Sequence, residues 1–468
     1  MPLYSLGYVF SSYLWRMRRV GGTIAGFNVS YDLSRIASGW SSATKTGRRG
    51  SSFVNGFAFA RTFRTAKGKD GRPMLGVDGD LRFRTVEAPF VRIRRDDRHH
   101  VRYDMHAANV LDLATLAFAL CNENHTLSSA CKVFGVEFGD RPGFHDGTIT
   151  EANVAGCLHD VGKTSELLFA LGREYDRHPI DLAPWRAQSG ASLAKAYLRA
   201  FGVAPRSEVQ PDFPKDYLGY AASAYFGGWV EARIVREPVP CIYLDAISMY
   251  PSVFTHLDLW FGHVTPEHLE PEELDPKHVE ALFDELRADP ERLLAPRVWP
   301  QLAFFALVEA NGATLPARAE IPSPYLTREA AANPAAHRLV TVGPLDSTEP
   351  LWYAGPDLAG SAIAGAGRAR VLRAWRLKPS GTQQTLRPVK FRGDDDIDPR
   401  TTNVFKRLIE LRKRSSRDPR DDALRSTGYK VIANSGSYGI SAQTTPEDID
   451  PDAPAKGSPV SVWGAAAL

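Results

Sequence analysis

Cysteine is scarce in this chain. Four residues of 468, Cys121, Cys131, Cys157 and Cys241, are scattered with no CxxC pair. That excludes a disulfide framework and a cysteine-based zinc site, and it fits a reducing, cytoplasmic setting. Long apolar runs are also missing. The opening MPLYSLGYVFSSYLWRMRRV lacks the apolar core of a signal peptide, and no later stretch is apolar enough to span a bilayer, so no membrane association is expected. There is no fixed-period repeat. Neither sign of charge dominates: the formal net charge is +3.

What is present is ordinary for a globular protein: 43% hydrophobic and 24% charged residues, in a length that accommodates about two to four domains. Basic residues gather at Arg16–Arg19, Arg92–Arg102 and Lys406–Arg425. Any one such cluster reads as a solvated face, but three in a nearly neutral chain point to a polyanionic partner.

The first two hundred residues alternate apolar runs with helical patterns, an α/β arrangement. GGTIAGF reads as a strand, YDLSRIASG as a helix ending at Gly39, VLDLATLAFAL as helical, and HDVGKTSELLFALGREY as an amphipathic helix. The proline-rich stretch 204–216 marks a boundary. Residues 266–300 look helical and acidic. LAFFALVEA, HRLVTV, LWYAG and RVLRAWRL read as strands. TTNVFKRLIELRKRS and DALRSTGYKVIANSGSYG read as two helices around a polar turn.

The run CIYLDAISMYPS places a lone carboxylate, Asp245, at the expected tip of a buried strand. Capping of the next helix is the local alternative. On the first helix of the pair, Phe405, Leu408, Ile409 and Arg412 share a face. On the second, Lys430 and Asn434 are four apart and share another. Two cations, an amide and a carboxylate suit a triphosphate: Asp245 to hold Mg2+, Arg412 and Lys430 to neutralise phosphate charge.

These residues carry a resemblance. DAISMYPS resembles motif A of the family B DNA polymerases, KVIANSGSYG resembles their motif B, and AYFGG resembles the YxGG element between their exonuclease and polymerase domains. All three occur in the family's order. The resemblance implies α/β plus α+β architecture. An RNase H-like exonuclease-type domain (1–203) would lead through a linker with the YxGG element (204–240) into a partial palm with an insertion (241–400). Two fingers helices with motif B (401–440) and a connecting segment (441–468) would follow.

By that resemblance Asp245 ligates the catalytic Mg2+ ions, and Ser248 and Met249 belong to the turn whose amides cradle the triphosphate. Tyr250 lies under the sugar, Arg412 meets the γ-phosphate, and Lys430 and Asn434 face the incoming dNTP. Tyr225, Gly227, Gly228, Tyr438 and Gly439 follow the DNA template-primer. Two departures stand out. Motif B carries one extra residue, which Gly436 would absorb by ending or bulging the helix. Ser416 stands where the family often has lysine, with Arg417 beside it.

AGFNVSYDLSRIA resembles the second exonuclease motif, through Asn28, Tyr31 and Asp32, and EANVAGCLHDVGKTSELL the third, with Asp160 in the metal-binding place. Read locally, Asp32 is a helix cap and Asp160 an exposed first-turn residue. Gly156 stands where the family has tyrosine, and no acid precedes Asn28. Downstream, 392–398 (RGDDDID) and 447–450 (EDID) read as solvated loops rather than as the second polymerase acid, motif C. The expectation is a polymerase chain impaired by itself, from a truncated frame or a split gene, with a second polypeptide supplying motif C and thumb. A DNA-binding remnant without chemistry is the alternative, and a 3′–5′ exonuclease the third.

Overall fold

The computed structural model describes residues 13, 22–29, 31–32, 39–41, 56–60, 63–67, 73–77, 80–84, 91–97, 100–106, 109–144, 149–227, 234, 237–246, 248–320, 338–365, 367–415, 417 and 423–438. Helices and small, mostly antiparallel sheets are mixed along the chain. Two units emerge: Met1–Tyr197 with Lys390–Asp395 and Ser415–Ile432, and Leu198–Val389 with Asp396–Arg414 and Ala433–Leu468.

In the first unit, β1 (Thr23–Gly26) pairs in parallel with β9 (Asn109–Asp112), Gly26 opposite Asp112. Between them run β2 (Gly39–Ser41), β3 (Gly56–Ala60), β4 (Phe63–Lys67), β5 (Pro73–Val77), β6 (Asp80–Arg84), β7 (Val91–Asp97) and β8 (His100–His106). They form a five-stranded sheet, β2-β3-β6-β7-β8, and a separate hairpin, β4-β5. Gly39 therefore opens a strand instead of closing a helix; of the rest of the expected helix, 31–39, only Tyr31 and Asp32 lie among the described residues. Likewise Val110–Asp112 ends a strand, and helix α1 (Leu113–Cys121) starts where Asp112 accepts a hydrogen bond from the Ala114 amide. Next come α2 (Leu127–Val133) and α3 (Glu151–Tyr175). Leu113, Leu116 and Ala117 of α1 are buried, as are Leu167 and Leu171 of α3. Helix α4 (Gly190–Ala200) contributes Tyr197.

The second unit holds the sheet β10-β15-β11-β14. Helix α5 (Lys215–Ser223) precedes helix α6 (Met249–His256), then β10 (His268–Leu274), α7 (Pro276–Ala288), β11 (Phe305–Glu309), β12 (Thr314–Glu320), β13 (Arg338–Pro344), β14 (Leu351–Ala354), α8 (Gly355–Ala364) and β15 (Arg370–Ser380). Period-two alternation divides the sheet into two buried faces. Ala306, Val308, Tyr353 and Ala374 join Val279, Phe283, Leu358 and Ala362 of α7 and α8 in one core. Phe305 and Trp375 point the other way, onto Ala221 and Tyr217 of α5. The acidic stretch His268–Leu274 is a strand and not a helix because it pairs residue for residue with β15, Glu270 opposite Lys378 and Glu272 opposite Arg376. Cross-strand pairing of opposite charges outweighs the weak strand propensity of glutamate.

The expected strand before Asp245 does not form. Residues 241–246 have no regular structure, and Ile242, Tyr243 and Leu244 are 87%, 87% and 86% exposed. Successive strand residues face opposite sides, so three such values mean that neither side is covered. A strand propensity without a hydrogen-bonding neighbour does not make a strand.

The stretch 392–398 is also corrected. It lies in a hairpin of β16 (Val389–Phe391) and β17 (Asp395–Ile397), and Arg392 is 1% exposed. Helices α9 (Val404–Ser415) and α10 (Ala423–Tyr438) follow as expected. Helix α10 passes through Gly436 without ending there. Residues 447–450 lie outside the described residues.

Candidate functional site

Three aromatic rings set the geometry around the DAISMYPS turn. Phe405, near the start of α9, meets Phe254 of α6 edge-on at 4.9 Å and Trp260 at 5.6 Å. Trp260 Nε1 donates to the Pro399 carbonyl oxygen at 2.9 Å. Phe405, Leu408 and Leu411 are buried, the i, i+3 periodicity of one packed helix face. Two turns further along α9, Arg412 Nη1 donates to Ser248 Oγ at the start of α6, at 3.0 Å, so the two contacts together set the helices antiparallel.

Ser248 is left-handed, φ 52° and ψ 43°, and caps α6 without a side-chain hydrogen bond. A non-glycine residue in that region costs roughly 1–3 kcal/mol. The arginine occupies its hydroxyl instead of the helix amides, so the first turn at Met249 and Tyr250 gains nothing from its cap, and both side chains are about half exposed. Asp245 is exposed, three residues upstream of Ser248. Ile247 lies outside the described residues.

On α10, Lys430 is exposed, while Asn434 is half-buried and its Oδ1 has no hydrogen-bond partner among the described residues. For Tyr438 the backbone alone is described, at the end of the helix, and Gly439 lies outside the described residues. In AYFGG, Phe226 stacks on Tyr353 at 4.9 Å, Tyr225 is exposed, Gly227 is left-handed at φ +84°, and Gly228 lies outside the described residues.

The exonuclease-type residues are held by two different sets of contacts. At the ends of β1 and β9, Asp112 Oδ1 accepts from the Asn28 amide at 2.7 Å and the Val29 amide at 3.4 Å, and its Oδ2 accepts from Thr115 Oγ1 at 2.8 Å. Asn28 is left-handed at φ 61°. Burial, and then the negative charge of Asp112, pushes the Asp32 carboxyl above its ordinary range.

Asp160 lies well inside α3 and not in its first turn, and its Oδ2 accepts from Arg141 Nε at 2.8 Å. A Cβ at Gly156 would sit 2.3 Å from the Pro142 carbonyl oxygen and 2.9 Å from the Arg141 guanidinium. The loop carrying Arg141 thus fills the space a tyrosine there would take. Among the described residues no group of three or more His, Cys, Asp or Glu could hold a metal ion.

Other structural residues gave no motif-level signal. Asp112 joins β1 to α1, Arg392 and Asp395 sit in what looked like a charged loop, and Arg206 has its guanidinium on three carbonyl groups. Charged residues in polar stretches look solvated until their partners, often a hundred or more positions away, are known. No protein-family model, curated protein sequence or solved structure matches the chain. Among the described residues, no helix is long and apolar enough to cross a membrane.

Proposed function

We propose that this chain is a template-directed DNA polymerase polypeptide of the family B type. It would bind a dNTP on a DNA template-primer for attack by the primer 3′-hydroxyl on the α-phosphate. One observation carries the reading. The arginine in the place of the fingers arginine donates to the serine of the motif A-like turn, across 164 residues of sequence. A surface helix with solvated charges has no reason to lay Arg412 on a strained serine. A triphosphate gives both a role: the turn offers amides, and the guanidinium offers a planar donor pair suited to phosphate oxygens.

Lys430 and Asn434 enter through the resemblance, and the unpaired Asn434 Oδ1 is an acceptor left for a ligand group. RNase H-like and palm architectures belong to the same proposal. Asp245 is a single carboxylate; it suits one Mg2+ shared with the triphosphate and does not by itself make a two-metal site.

The test is a titration of labelled template-primer with the chain, with and without the next correct dNTP and Mg2+. The dNTP should tighten the complex at least about tenfold, roughly 1.4 kcal/mol. Arg412→Ala should abolish that gain and leave bare DNA binding within about twofold. A dNTP without effect on the wild-type chain defeats the reading.

The exposure of Asp245 and the missing strand before it favour, as the second reading, a chain that binds DNA without chemistry. That reading expects steep salt dependence and indifference to dNTP. Exonuclease activity is the weakest of the three, because Arg141 already compensates Asp160 and the space at Gly156 is filled.

A further inference from the structure

Lys430 follows directly on a fully buried residue of its helix. Tyr429 is 1% exposed, its ring lies against Phe391 at 5.5 Å, and its hydroxyl donates to Asp395 Oδ2. Arg425, one turn earlier, donates through Nη2 to the same carboxylate oxygen at 2.9 Å and through Nε to the Tyr429 hydroxyl at 2.7 Å. One oxygen in the β16–β17 hairpin therefore holds residues i and i+4 of α10.

Two anchors four residues apart fix both the rotation of a helix about its axis and its position along that axis. Lys430 is turned about 100° from Tyr429, out of the core. At the side-chain radius of an α-helix, roughly 6 Å, a 20° rotation would carry its end roughly 2 Å, enough to break a hydrogen bond.

We propose that Asp395 is the positioning residue for Lys430: through Tyr429 and Arg425 it sets the azimuth of α10 that aims the lysine at a nucleotide phosphate. The proposal rests on the polymerase reading and deepens it, by giving the RGDDDID stretch a part in dNTP binding without contact to the nucleotide. The hairpin that carries Asp395 is itself held from behind. Arg392 Nε and Nη2 donate to the two Glu174 oxygens at 2.6 and 2.7 Å, and the Arg392 amide donates to the Tyr197 hydroxyl at 3.1 Å. A positioning group needs this kind of fixed support.

The test uses Lys430 itself as the reporter. Pyridoxal 5′-phosphate, an aldehyde bearing a phosphate, is condensed with exposed lysines on the full chain and trapped with borohydride, and Lys430 is read by peptide mapping. A mixture of the four dNTPs with Mg2+ is titrated as protectant in the wild type, Tyr429→Phe and Asp395→Asn. The first variant removes only the hydroxyl, and the second keeps the shape and removes the charge.

The proposal expects protection of Lys430 in the wild type. In both variants it expects at least about tenfold more dNTP for the same protection, with template-primer affinity unchanged within about twofold. Equal protection in all three chains overturns the proposal and leaves the polymerase reading standing. No protection in the wild type overturns both. Loss of folded structure in both variants, seen by circular dichroism, assigns the three residues to stability alone and also overturns it.

Discussion

A buried histidine just beyond the candidate turn makes the stability of that region depend on pH. Trp260–Val264 forms a π turn directly after α6. Arg206 closes it: Nη2 donates to the carbonyls of His263 and Pro266 at 2.9 Å each, and Nη1 to that of Glu267 at 3.0 Å. The His263 ring is buried beside this cation, and its Nδ1 makes no hydrogen bond. Burial first, and then the Arg206 charge, pushes the imidazole from 6.5 down to about 4.

The folded state thus holds His263 neutral where the unfolded chain would protonate it. Between pH 6.5 and 4 the unfolded state binds the extra proton, so stability is full above about 6.5 and falls with pH down to about 4. The loss is about 3 kcal/mol. Native-state hydrogen exchange across Met249–Glu267, at pH 7 and about 4.5, should show most of it. In His263→Leu that loss should be absent, while the effects of carboxylates common to both chains cancel. An equal loss in the two chains would refute the argument.

Gly202 is left-handed at φ +79°, and a Cβ there would lie 1.8 Å from the Thr385 carbonyl oxygen. Gly202→Ala should therefore destabilise the second unit by about 3 kcal/mol or more in thermal melting. Glu174→Gln breaks a buried bidentate pair with Arg392 and should cost about 3–5 kcal/mol. Burial pushes the Glu174 carboxyl up, but His178 and Arg392 facing it prevail and hold it low. Its contribution is therefore present at and above its ordinary range and is lost as pH falls through the lowered value; acid unfolding of wild type against variant measures it. Ser248→Gly removes the left-handed strain and the acceptor for Arg412. It should raise melting stability by about 1 kcal/mol and weaken the dNTP-dependent tightening of template-primer binding.

Local pattern alone was enough for the elements that carry their own periodicity. The 3.6-residue spacing of Phe405, Leu408 and Arg412 identified α9, the run 423–438 identified α10, and β11, β13, β14 and β15 were legible as apolar strands. Motif resemblance set Arg412 to meet a nucleotide phosphate; in the structure it donates to Ser248 of the DAISMYPS turn, a contact no local pattern announced.

Pattern misled wherever a partner decided the outcome. CIYL has strand propensity and stays exposed because, among the described residues, no neighbouring strand accepts its hydrogen bonds. HLEPEEL lacks that propensity and becomes a strand because β15 supplies both hydrogen bonds and countercharges. RGDDDID looked solvated, yet Arg392 and Asp395 are buried against Glu174, Arg425 and Tyr429. Asp160 looked free for a metal, yet it meets Arg141. Helical periodicity is a property of the nearest few residues and is written in the chain. The burial of a charge or the pairing of a strand depends on groups that only the tertiary structure brings close, because the free energy of a charge or an open backbone edge is set by what replaces its water.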